Sequence, residues 1–280
     1  MSQTQPNDFI TRRSCLQLSG MDTVAIQRDV EYCTTDSGPL TMDVYYPPDV
    51  SASRRLPAVI IVAGFSDAME PRLLDCTYKE LGWTVSMAQL IAVSGMVAIT
   101  YTNREPVRDL QALFAYLQEH GRSLRIPGSR VGVVAVSGNV PTALATVMHD
   151  ASRTPACAVF SCGYMLDSDG SMDVADAAAQ WRFANPCAGK SIADLRHDVP
   201  LFIARAGQDQ FPGVNASIDR FVRGAIDANL PVTFVNHSDG PHAFDLFHDS
   251  LASREIVRQL LAFLQRHLLA SEISDVEVAL

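Results

Sequence analysis

Val131-Gly132-Val133-Val134-Ala135-Val136-Ser137-Gly138-Asn139 is an apolar run that ends abruptly on a small polar tripeptide. Valine fills four of the first six positions, the composition of a short strand buried on both faces. A helix is expected from Thr142 to His149, so the chain passes from strand to helix within a few residues. Such a turn lifts its serine above the sheet, where the hydroxyl can act as a nucleophile. The residues two positions to either side should be small, because the backbones there pass close together. Ala135 meets that demand, whereas Asn139 is larger than the pattern calls for. Serine is also a common helix cap, so the choice between the two readings rests on partners for Ser137 later in the chain.

A serine hydroxyl is a weak nucleophile until a base removes its proton and a carboxylate orients that base. Both partners are expected on loops behind later strands. Leu201 to Ala206 reads as a strand, and Arg205-Ala206-Gly207-Gln208-Asp209 carries Asp209 into a short glycine-containing loop. Pro231 to Val235 reads as another, and Gly240-Pro241-His242-Ala243-Phe244 sets His242 behind it. Serine, then aspartate, then histidine is the chain order in which an elbow of this kind meets its partners. His237 competes with His242 but falls at the end of its expected strand, before the glycine that would let a loop return over the site. Asp167 and Asp239 compete with Asp209. His120, His149 and His267 lie on or at the ends of helices, and His197 and His248 lack a strand-end setting. Acyl transfer also needs backbone donors for an oxyanion. Gly138 N–H, next to Ser137, is one. Phe65, in the loop Ala63-Gly64-Phe65-Ser66 after the strand Ala58 to Val62, is the second.

The rest of the chain alternates strand and helix. Val24 to Tyr32 and Leu40 to Tyr46 form a hairpin about the turn Thr34 to Pro39. Met96 to Tyr101 and Ala156 to Phe160 are further strands, and helices are expected over Thr77 to Val93, Pro106 to about Leu117, Asn215 to Ala228 and Ser253 to Leu269. This succession predicts an α/β fold: a mostly parallel sheet with an N-terminal antiparallel hairpin and helices on both faces. Residues 165–196 mix an alanine-rich helix, Val174 to Phe183, with Pro, Gly and Asp. They read as a lid inserted over the sheet, with Met165, Trp181 and Phe183, together with Phe211, as candidate pocket residues. The domain expected spans 24–269, between a partly flexible leader (1–23) and an acidic tail (270–280).

At 280 residues and 48% apolar composition, one core suffices. A net charge of −9 excludes a polyanion as main partner, because phosphate binding needs clustered Lys and Arg. Six cysteines without a framework spacing read as reduced thiols, mostly in the core. Thr11-Arg12-Arg13 touches on an export signal, but Asp22 and Arg28 interrupt any apolar stretch behind it. No run approaches the about 18 apolar residues of a membrane span. The expectation is a cytoplasmic protein.

Leu40-Thr41-Met42-Asp43-Val44-Tyr45-Tyr46-Pro47, with the Asp209 and His242 loops, is similar to the corresponding segments of the α/β-hydrolase superfamily, particularly its dienelactone-hydrolase-like and small-carboxylesterase branches. The likeness covers about Val24 to Leu269. It implies the α/β-hydrolase fold and ester hydrolysis through an acyl-enzyme, with no metal and no organic cofactor. Dienelactone hydrolases proper carry a cysteine where Ser137 stands. The partner implied is a small-molecule acyl substrate, with a homodimer as one form of assembly. A lactone, thioester or amide substrate, transfer to an alcohol, and a binding protein on the same scaffold are the rival readings.

Overall fold

In the computed structural model, residues 10–48, 54–69 and 76–269 are described. Strands β1 (Ala25–Thr35) and β2 (Gly38–Tyr46) form the N-terminal hairpin. They are followed by β3 (Ala58–Ile61), β4 (Val97–Tyr101), β5 (Val131–Val136), β6 (Ala158–Ser161), β7 (Leu201–Gln208) and β8 (Val232–Pro241). Their spatial order is β1-β2-β4-β3-β5-β6-β7-β8. Pairing is antiparallel from β1 to β2 and from β2 to β4, and parallel from β4 across to β8. This is the α/β-hydrolase fold expected.

Strands β3, β4, β5 and β6 are buried at every position, as parallel strands covered on both faces must be. Alternate residues serve opposite faces. Val133 and Ala135 pack with Leu110, Phe114 and Leu117 of α2 (Pro106–His120) and with Ile218 and Phe221 of α5 (Val214–Asp227). Val134 and Val136 pack with Met87, Leu90 and Ile91 of α1 (Gly82–Val93) and with Ile256, Leu260 and Leu264 of α7 (Leu251–Leu269). Three shorter helices are α3 (Val140–Leu144), α4 (Asp173–Trp181) and α6 (Phe244–Phe247).

Several boundaries differ from the sequence reading. The hairpin turn is tighter, since Thr35 pairs with Gly38 and only Asp36 and Ser37 lie between them. The helix expected from Thr77 breaks in two. Thr77 and Glu80 close a capping box around the 3₁₀ turn Tyr78–Glu80, and extended backbone at Leu81 separates that turn from α1. The helix after Ser137 starts earlier, at Val140, and tightens into a 3₁₀ turn at Ala145–Val147. β7 and β8 both outrun their apolar cores, because β7 pairs on β8 as far as Gln208 with Pro241.

Residues 10–23, expected as a partly flexible leader, lie against the fold. Ser14 N–H donates to Ser86 Oγ (2.9 Å), Cys15 N–H to the Asp245 carbonyl (2.6 Å), and Leu16 and Met21 are buried. In the segment 165–196, Met165, Val174, Ala177 and Phe183 belong to the main core. None of the six cysteines forms a disulfide, and three of them, Cys157, Cys162 and Cys187, are buried, fewer than expected. Residues 1–9 of the leader and 270–280 of the tail lie outside the described residues. Among those described, no helix is long and apolar enough to cross a membrane.

Candidate active site

β5 delivers Ser137 into a 3₁₀ turn, Ser137–Asn139, that leads directly into α3. Ser137 has φ 59°, a left-handed conformation that costs a non-glycine residue about 1–2 kcal/mol. Ser137 Oγ lies 2.8 Å from His242 Nε2, and His242 Nδ1 lies 2.6 Å from Asp209 Oδ2. A carboxylate only accepts hydrogen bonds, so Nδ1 carries the imidazole proton and Nε2 is left to accept from the serine hydroxyl. The Asp209 side chain is fully buried, and its second oxygen accepts the Phe211 amide at 2.9 Å. The Phe211 ring packs edge-on against the imidazole with centroids 4.5 Å apart, and His242 N–H donates to Gln210 Oε1 (3.3 Å).

The competing residues have other work. His237 lies inside β8 instead of at its end. It is buried with Nε2 3.0 Å from Ser253 Oγ, its ring beside Phe244, and burial lowers its pKa. Asp167 accepts the Val174 and Ala175 amides, both at 2.9 Å, and so caps α4. Asp239 is exposed on β8. Cys162, near the end of β6, is buried, which pushes its thiol up to about 12. It is not a competing nucleophile.

Of the backbone groups beside Ser137, Gly138 is the second residue of its 3₁₀ turn, where a backbone N–H has no intrahelical acceptor. In the loop after β3, Ala63 N–H donates to Tyr101 Oη (3.2 Å) and Gly64 N–H to Asn139 Oδ1 (2.6 Å). The Phe65 amide donates to nothing among the described residues. Backbones pass close here as the sequence pattern demands, but the space comes from the facing loop. A Cβ on Gly64 would lie 2.6 Å from the Gly138 carbonyl and 2.7 Å from Asn139 Cα.

Ser137 and His242 border a cavity of about 510 Å³, mostly apolar, walled by residues 65–69, 76–83, 210–211 and 242–247. Of the four residues assigned to the pocket from sequence, Phe211 lines it. Met165 is fully buried away from it, and Phe183 lies behind Gly138 between Tyr164 and Phe65. Trp181 does not line the cavity and meets Phe211 edge-on, with centroids 5.7 Å apart. Tyr78, Leu81 and Trp83 form part of its wall instead. The sequence signal for that wall is the Tyr-x-x-Leu-x-Trp run that leads into the first turn of α1, which reads as part of a longer helix.

No family model and no curated protein sequence matches the chain. Solved structures do. The chain is similar to esterase 2 of the planctomycete Thermogutta terrifontis with bound propionate, at 18% identity and TM-score 0.67, covering 88% of this chain and 95% of that one. It is also similar to a bacterial heroin esterase at 15% identity and TM-score 0.68, covering 91% and 87%. Esterase LipW of Mycobacterium marinum matches at 13% identity and TM-score 0.65, covering 88% and 82%. At these identities the likeness is one of fold.

Proposed function

We propose that this chain is a serine hydrolase that cleaves a carboxylic ester of a small molecule through an acyl-enzyme. The observation that carries the reading is the file Asp209, His242, Ser137, joined by hydrogen bonds of 2.6 and 2.8 Å at the rim of an apolar cavity. His242 Nε2 takes the hydroxyl proton as Ser137 Oγ attacks the ester carbonyl. Asp209 stabilises the imidazolium that forms. Gly138 and Phe65 amides hold the oxyanion. The imidazolium then protonates the leaving alkoxide, and a water activated by His242 releases the acid and frees Ser137.

Support also comes from the neighbouring structures, which are esterases, one of them phosphonylated by sarin. These neighbours favour a carboxylesterase over the dienelactone-hydrolase branch. A cavity of about 510 Å³ is of the size that holds a small organic ligand. Its wall favours an ester with an apolar acyl or alcohol part. The proposal takes 24–269 as one hydrolase domain with 165–196 as its cap. A cytoplasmic location and a homodimer belong to it on sequence grounds.

The test is a fluorophosphonate probe followed by peptide mass analysis, with hydrolysis of short-chain p-nitrophenyl esters. Label on the Ser137 peptide, and loss of both label and hydrolysis in Ser137→Ala, are expected. Unchanged hydrolysis and labelling in Ser137→Ala sinks the reading. A tightly bound ligand that persists intact, without labelling, favours a binding protein instead.

A further inference from the structure

Asn139 stands where the elbow pattern calls for a small residue, yet it is 5% exposed and all its polar atoms are engaged. Oδ1 accepts Gly64 N–H at 2.6 Å. Nδ2 donates to the Val136 carbonyl at 2.9 Å and to Tyr78 Oη at 3.0 Å. These partners fix which way the amide faces, since a backbone N–H requires the oxygen and a carbonyl requires the nitrogen. One side chain therefore ties together the end of β5, the loop after β3 and the cavity wall. Burial raises the Tyr78 pKa, so the phenol stays neutral and remains a partner for the amide across the ordinary pH range.

The loop after β3 is pinned at three points. Ala63 N–H is held by Tyr101 Oη, Gly64 N–H by Asn139 Oδ1, and the Gly64 carbonyl accepts Ala184 N–H at 2.8 Å. With both groups of Gly64 committed, the next peptide has its amide free, and that amide belongs to Phe65. Without the carboxamide, Gly64 N–H has no acceptor in a buried place, and the peptide can turn to seek one. The peptide that carries Phe65 N–H would then keep only the Ala184 bond to the Gly64 carbonyl, and would lose the second of the two restraints on its orientation.

We propose that Asn139 is a positioning residue: its carboxamide clamps the loop after β3 to the nucleophile turn, so that Phe65 N–H is the amide presented to the oxyanion. This rests on the function proposed above. The consequence runs against the sequence pattern, because putting back glycine at position 139 impairs the enzyme.

The test compares wild type, Asn139→Gly and Asn139→Asp by steady-state hydrolysis of p-nitrophenyl butyrate and by amide hydrogen exchange. Removal of one oxyanion donor costs about 10²–10³ in kcat. Asn139→Gly is therefore expected to lose about 10²-fold in kcat with KM within about threefold. Asn139→Asp keeps an acceptor for Gly64 N–H and is expected to retain more activity than Asn139→Gly. A kcat for Asn139→Gly near wild type, or above that of Asn139→Asp, overturns the proposal. Exchange in the wild type checks the clamp independently of catalysis and of how the variants fold. Gly64 should exchange slowly and Phe65 fast, and the reverse order overturns the proposal too. Slow Gly64 exchange in a wild type that hydrolyses no ester and takes no fluorophosphonate would leave the clamp standing and fell the esterase reading.

Discussion

Gly64→Ala isolates the geometry of the oxyanion loop from its chemistry. The φ of Gly64 lies outside the left-handed region, so alanine meets no backbone strain there. What it meets is the nucleophile turn. The added Cβ would sit 2.6 Å from the Gly138 carbonyl oxygen and 2.7 Å from Asn139 Cα, both backbone atoms without a side chain's freedom to swing away. The nearer contact falls about 0.8 Å short of ordinary van der Waals separation, so the loop and the turn must part by an amount of that order. A donor set about 2.9 Å from an oxyanion would retreat to about 3.7 Å, beyond hydrogen-bonding range. The loss expected is that of one donor, about 10²–10³ in kcat or about 3–4 kcal/mol of transition-state stabilisation, with KM little changed. Overpacking should cost a further 1–3 kcal/mol of folding stability, roughly.

Gly132→Ala is the matched control. Its Cβ would meet Leu268 Cδ1 at 3.1 Å and Cys157 Sγ at 3.3 Å, the ends of side chains that can give way, near the start of β5. Stability should fall modestly while kcat stays within about twofold of wild type. The assay is kcat and KM on p-nitrophenyl butyrate for all three proteins, with urea unfolding to show that each is folded. A folded Gly64→Ala with wild-type kcat would refute the assignment of Phe65 N–H as an oxyanion donor.

Two further predictions concern stability. Lys79 Nζ bridges Asp43 (2.8 Å) and Asp29 (2.6 Å), and Asp43 is buried. Among the described residues, Lys79→Met leaves that carboxylate with an exposed arginine, Arg28, and the Asp29 amide, and urea unfolding should show a loss of about 3 kcal/mol; a loss under about 1 kcal/mol would contradict the burial argument. Asp245 is buried, which raises its pKa; Trp83 Nε1–H donates to its Oδ2 at 2.5 Å, and Oδ1 has no partner among the described residues. Its carboxyl holds a proton in the folded state at pH values where the unfolded chain has released it. Its contribution to stability is thus complete below about pH 4 and declines as pH rises toward the raised folded value. Asp245→Asn keeps an acceptor for Trp83 and removes the titration, so its advantage over wild type in urea unfolding should grow from pH 4 to pH 8. Parallel stability curves would refute it.

The parts of the molecule legible in the sequence are those that a single physical rule determines locally. Parallel strands are covered on both faces, and the continuous apolar runs of β3 and β5 announce that. Ser137, Asp209 and His242 can be picked out because each stands at the end of a strand, and the structure brings the three within hydrogen-bonding distance. The sequence misplaces the cavity for the opposite reason. Met165, Trp181, Phe183 and Phe211 group together as large residues in or beside an insertion, but composition does not say which side of a nucleophile a segment covers. The wall at Tyr78, Leu81 and Trp83 depends on a break at Leu81, and that break arises from a capping box whose two partners form no helical pattern.

Asn139 shows why a sequence pattern and the physical demand behind it can part company. The demand is for room between backbones, and room can be made from either side of the contact. Here it is made by Gly64 facing Gly138 and Asn139, and by Gly163, whose missing Cβ leaves space for the Val140 side chain and the Ser137 carbonyl. Once the opposing surfaces are glycine, position 139 is free to carry a side chain, and the one it carries uses the narrow gap to reach three polar groups. Those bonds act on the turn that holds Ser137 at φ 59°. Left-handed backbone at a serine persists only where its surroundings determine it more firmly than it resists. Asn139, two residues away and bonded to Val136 just before the serine, supplies part of that determination. The residue that departs from the pattern thereby helps maintain the conformation the pattern exists to secure.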